Sequence, residues 1–149
     1  MFTAGQILFF KPFYFKDGGE PQDKYFVVLK NIESKVVIAS LPTSKIKAES
    51  LMTIKHGCVN IDERKFNCYV FEKDRRICDN GFSFPRHTYI FGNHVQDYPI
   101  AYLTADGKMK LNVDYNVQGV LTKSEFKEIY ECVANSNSTI NKIRRLLKN

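Results

Sequence analysis

Short runs of β-branched and aromatic residues alternate with turn-forming clusters over the first two-thirds of the chain. Gly5–Phe10 is the first run, and the Gly- and Pro-bearing stretch Lys16–Asp23 after it reads as a loop. Tyr25–Leu29 and Lys35–Leu41, separated by Asn31–Ser34, predict an antiparallel hairpin. Both are apolar at adjacent as well as alternating positions, which predicts burial on both faces in part. Further strands are predicted at Asn67–Phe71 and Thr88–Phe91, with a turn at Asp79–Gly81 between them. Asp106-Gly107 suits a tight turn joining a strand at Ala101–Leu103 to one at Met109–Leu111. Residues 46–66 read as an irregular connection.

The period changes near the C-terminus. Thr122-Lys-Ser-Glu125 fits a capping box, in which hydroxyl and carboxylate both serve free helix amides. Phe126, Ile129, Tyr130 and Val133 then share one helical face. Asn135–Thr139 breaks the helix. A second helix turns Ile140, Ile143, Leu146 and Leu147 inward and Lys142, Arg144, Arg145 and Lys148 to solvent. Many short strands followed by helices predict a mainly β, α+β fold, a small barrel or strongly bent sheet. The 149 residues suit one domain over 1–149, with the β body at about 1–118 and helices at about 122–148.

Composition narrows the class. Trp is absent, so 12 Phe and 8 Tyr must supply the bulk of the core. The N-terminal stretch holds Lys11 and Pro12 and lacks a signal-peptide pattern, and no apolar run approaches a membrane span. The expectation is a cytoplasmic chain, not bound to membrane, with Cys58, Cys68, Cys78 and Cys132 as reduced thiols. The net charge of +6 and pI of about 9.1 favour encounter with polyanions, and equally with an acidic protein.

The chemistry-bearing residues are then few. His56-Gly-Cys58 with Cys68, Cys78 or His87 lacks the close second ligand pair of structural zinc sites, so no metal or cofactor is assigned. No nucleophile elbow and no Gly-rich phosphate loop is present. His56, His87 and His94 are the side chains suited to proton transfer near neutral pH. Arg75 and Arg76 follow one predicted strand and Arg86-His87 precedes another, while Lys16 and Lys24 flank the first loop. If the sheet curls, these loops converge to cradle phosphates, with Tyr25, Phe84 and Tyr89 beside them to stack unpaired bases. The plain alternative is a solvated basic rim over an aromatic core.

The order of strand, long loop, strand, tight turn, strand, Thr-Ser and capped helix resembles the MazF/PemK toxins. The matching residues are Gly5-Gln-Ile7, Lys24-Tyr-Phe-Val-Val-Leu29, Val36–Ser44 and Gly119-Val-Leu-Thr122 with the helix from Phe126. The likeness covers residues 5–45 and 117–133. It implies a Src-homology-3-like barrel, usually a homodimer, that cleaves single-stranded RNA without metal and is silenced by a cognate antitoxin. Carried over, it makes Lys24, Thr43 and Ser44 catalytic candidates; the reading of the basic loops adds His87 to them and makes Lys16, Lys45, Arg75, Arg76 and Arg86 the RNA-binding candidates, with the 12–23 loop over the groove. One departure is plain: the family has Arg-Pro where this chain has Lys24-Tyr25. Lys is a point charge, not a planar fork. Either Lys24 stabilises the phosphate alone, or cleavage has moved to Arg75, Arg86 or His87 or been lost. A non-catalytic module on the same barrel, binding protein or nucleic acid, is the alternative.

Overall fold

A computed structural model describes residues 2–14, 18–41, 55–105 and 109–148. Among these residues eight strands fall in two antiparallel sheets. β1 (Gln6–Phe13), β2 (Gln22–Ile32), β3 (Lys35–Ser40), β7 (Val95–Pro99) and β8 (Tyr115–Val120) form the larger, in the order β7-β3-β2-β1-β8. β4 (Gly57–Ile61), β5 (Phe66–Phe71) and β6 (Thr88–Phe91) form the smaller, with β5 central. Three α-helical segments accompany them among the described residues: the single turn α1 (Ile100–Leu103) between β7 and β8, then α2 (Lys123–Ala134) and α3 (Asn141–Lys148). The α+β class expected from sequence is present.

The side-chain alternation of the central strands explains the layering. Ile7, Val27, Leu29, Val37 and Ala39 enter one core, which Tyr69, Phe71 and Ile90 of the smaller sheet, Ile129 and Val133 of α2, and Leu147 of α3 complete. Leu8, Phe10, Phe26, Val28, Val36 and Ile38 enter a second, aromatic core on the other face with Phe13, Tyr98 and Tyr115. β2 and β3 are thus covered on both sides, as their unbroken apolar runs indicate. The helices dock through single polar contacts as well as packing. Lys30 Nζ donates to Leu146 O at 2.8 Å, and Asp97 takes both Lys35 and Lys142. Lys142 is therefore ion-paired rather than merely solvated.

Several expectations change. Ala101–Leu103 is helical, not a strand: β7 ends at Pro99, and Leu103 turns down into the second core. Met109 follows in a bend, and Leu111 makes only an isolated bridge to Tyr115. Asp106-Gly107 lies outside the described residues. β4, β7 and β8 went unread because their exposure alternates along sequences carrying Gly, Asn or Pro. Ile140 precedes α3 and is exposed, whereas Ile143 and Leu147 are buried.

Gly119 shows why one residue of the resembling motif is small. A Cβ there would stand 2.9 Å from Cys78 Cβ and Sγ and 2.8 Å from Asn80 Oδ1. Cys78 cannot retreat freely, since it bridges Leu121 beside β8. Gly119→Ala is expected to cost about 2 kcal/mol, the usual scale for overpacking, read as a lower urea midpoint with an unchanged m-value. An unchanged midpoint would refute the close-approach reading.

Candidate functional site

The basic loops between β5 and β6 are held by backbone pairing: Asp74 N–H donates to Phe84 O at 2.8 Å and Ile77 N–H to Phe82 O at 3.0 Å. This brings Arg75 and Arg76 into the same loop pair as Arg86 and His87, and both arginines of the first segment are exposed. Two imidazoles flank the turn that carries them. His56 Nδ1 accepts the Glu72 N–H at 3.1 Å, and His87 Nδ1 accepts the Lys73 N–H at 3.1 Å. An Nδ1 that accepts an amide proton carries none itself, so each neutral ring holds its proton on Nε2. His87 in this arrangement offers a ligand a hydrogen-bond donor, its Nε2–H.

His56 is fully committed. Its Nε2 donates to Glu125 Oε2 at 2.6 Å, with side-chain exposures of 6% and 11%. Tyr69, at the centre of the smaller sheet, donates its hydroxyl to the same oxygen. Burial alone would raise the Glu125 pKa. The hydrogen bonds from His56 and Tyr69, with the charge of Arg75, outweigh it and hold the carboxyl below its ordinary range. Burial and the bond to Glu125 push the Tyr69 phenol up. The capping box is thus only half made. Thr122 Oγ1 accepts the Glu125 N–H at 3.3 Å, but the carboxylate turns away from the helix to the two sheet donors.

Lys24 stands apart. It lies opposite Phe10 on β2, on the face of the aromatic core, while Tyr25 lies on the other face against Phe9, Phe82 and Phe84. Lys24 and the arginine loops therefore flank the same end of the larger sheet from opposite faces. Burial lowers the Lys24 pKa. Leu41 N–H donates to Tyr25 O at 3.0 Å, so the chain leaves β3 beside the start of β2. Thr43, Ser44, Lys45 and Lys16, like residues 15–17 of the first loop, lie outside the described residues. Of the aromatics expected to stack bases, Phe84 and Tyr89 are buried, with 1% and 0% exposure. Tyr25 is partly exposed, and so is Phe82 beside it, which the sequence reading did not name for stacking.

The cysteines differ from expectation. Cys58 and Cys132 are joined in a disulfide between β4 and α2, 74 residues apart in sequence, while Cys68 and Cys78 are free and buried. A strand edge and a helix face meet there, with Cα atoms 5.7 Å apart. His56 and Cys58, the pair considered for zinc, are thus both engaged with α2. Among the described residues no group of three or more His, Cys, Asp or Glu side chains has metal-holding geometry, and no helix is long and apolar enough to cross a membrane.

No family model, curated protein or solved structure matches the chain.

Proposed function

We propose that this chain is a toxin-type endoribonuclease of the MazF/PemK kind, cutting single-stranded RNA without metal and held in check by a cognate antitoxin. The observation that carries the reading is Lys24: a half-buried ammonium at the end of the larger sheet, beside the point where the chain leaves β3 at Leu41. A cation in a partly desolvated place acts more strongly on developing phosphate charge than one in bulk water. The element order around it, from Gly5-Gln-Ile7 to the Thr122-capped helix, supports the likeness. RNA crossing the sheet end meets Lys24 on one side and Arg75, Arg76, Arg86 and the His87 Nε2 proton on the other. Closure of the sheets into a Src-homology-3-like barrel, the homodimer and a cytoplasmic place belong to the same proposal.

The test is incubation of the purified chain with single-stranded RNA in chelator, beside growth arrest on expression. Cleavage at short sequences is expected, suppressed by high salt as phosphate contacts weaken. Growth arrest with intact RNA would reject the nuclease. It would favour the second reading, a non-catalytic module on the same fold. One observation supports that alternative: His56 and His87 both spend Nδ1 on backbone amides, so neither offers that nitrogen as a general base.

A further inference from the structure

The geometry points to a thiol–disulfide exchange site at Cys58–Cys132, opened by a neutral or cationic thiol that attacks the Cys58 sulfur. The inference stands apart from the RNA reading. The disulfide lines an open groove of about 450 Å³ with His56, Asn60, Glu128, Glu131 and Asn135. Its two ends are unequal: Cys58 is an exposed residue on the edge strand β4, whereas Cys132 is 7% exposed on the inner face of α2. An incoming sulfur therefore has access at Cys58, and Cys132 is the leaving group.

The surroundings of Cys132 suit both of its reduced forms. Asn67, itself 3% exposed, directs Nδ2 toward Cys132 Sγ at 3.4 Å and stands ready to stabilise a departing thiolate. The Cys68 carbonyl lies 3.9 Å from the same sulfur and accepts an S–H once the thiolate is protonated. The step balances. A thiolate RS⁻ bonds to Cys58 Sγ, the S–S bond breaks, and its electron pair leaves on Cys132, which takes a proton from water. A second thiolate attacks the R sulfur of the mixed disulfide and frees Cys58, which is protonated in turn. Two thiols are oxidised to RSSR, and the protein gains two electrons and two protons. Glu128 and Glu131 at the groove set the preference for thiols without negative charge.

The release is local. His56 and Cys58 on one side, and Glu125 and Cys132 on the other, make two rungs between the β4 segment and one face of α2. Opening one rung leaves the other and both cores in place. Cys68 and Cys78 then report on wider unfolding, because burial pushes both thiols up to about 12 and keeps them unreactive in the native fold.

The experiment treats the oxidised chain, without denaturant, with dithiothreitol, cysteamine or glutathione, followed by alkylation of the native chain at neutral pH and mass mapping. Alkylation of Cys58 and Cys132 alone is expected, with the transient cysteamine adduct on Cys58. Cysteamine should react about threefold faster than glutathione at equal thiolate concentration and low salt, and the gap should close in the Glu128→Gln, Glu131→Gln double variant. Asn67→Ala should slow opening about tenfold. Labelling of all four cysteines together, no opening without denaturant, or an adduct on Cys132 would overturn the proposal. The site of the adduct in the unmutated chain decides even if Asn67→Ala does not fold.

Discussion

Replacing Glu125 by Ala is expected to destabilise the fold by about 3 kcal/mol, the scale for removing the shared partner of buried hydrogen-bonded groups. The cost comes from what is left behind. Tyr69 is fully buried, and without Glu125 its hydroxyl loses its acceptor. The His56 Nε2 proton, on a ring whose other nitrogen is already used, loses its acceptor too. Glu125→Gln keeps the size and one acceptor oxygen, so it should recover about half of the loss. The pH dependence carries a separate signature. The folded Glu125 pKa lies below the ordinary 4.5, so the unfolded chain binds more protons between the two values. The contribution is complete above the unfolded value and is lost as pH falls through the folded one. The difference between wild-type and Glu125→Gln urea midpoints should shrink across that acidic window, which cancels the parallel titration of Asp97 and other carboxylates. A constant difference from pH 7 to pH 2.5 would show that Glu125 acts through shape alone.

Glu125 also marks where local pattern stops being informative. Its place three residues after Thr122 fits a capping box, and the Thr half of that motif is present. The carboxylate obeys a non-local demand, because Tyr69 and His56 lie 56 and 69 residues away and have stronger need of an acceptor inside the fold. The same division runs through the strands. β2 and β3 are buried on both faces and announce themselves by composition, whereas β4 alternates exposure over Gly-Cys-Val-Asn-Ile and carries little apolar signal. Positions next to strand ends were legible, so Arg75, Arg76, Arg86 and His87 could be grouped from their order along the chain. Which face a residue takes was not. Lys24 and Tyr25 are neighbours in sequence and, by strand alternation, belong to opposite faces. The Cys58–Cys132 pairing had no sequence signal either, since four cysteines allow several pairings and none at all.

Lys24→Met is expected to lower RNA cleavage at least about a hundredfold, the scale for losing a preorganised charge at a transition state, while leaving the fold as stable as before or more so. The two halves rest on the same fact. Burial lowers the Lys24 pKa, which means that the folded state disfavours its charged form. In the folded chain that cost is present at neutral pH and is relieved as pH rises through the lowered value toward the ordinary one. Met fills a similar volume without charge, so removing the ammonium should stabilise by up to ~1 kcal/mol, a figure reduced by the water that still reaches the side chain. Arg at the same position restores the residue type of the resembling family, and its planar fork should return activity if the substrate phosphate lies at this end of the sheet. A structural lysine would behave otherwise: its loss would lower stability and activity together. The measurement is a urea midpoint beside a single-turnover cleavage rate for Lys24→Met and Lys24→Arg. Undiminished cleavage in Lys24→Met would move the chemistry to the opposite face, to the paired loop segments that carry Arg75, Arg86 and His87.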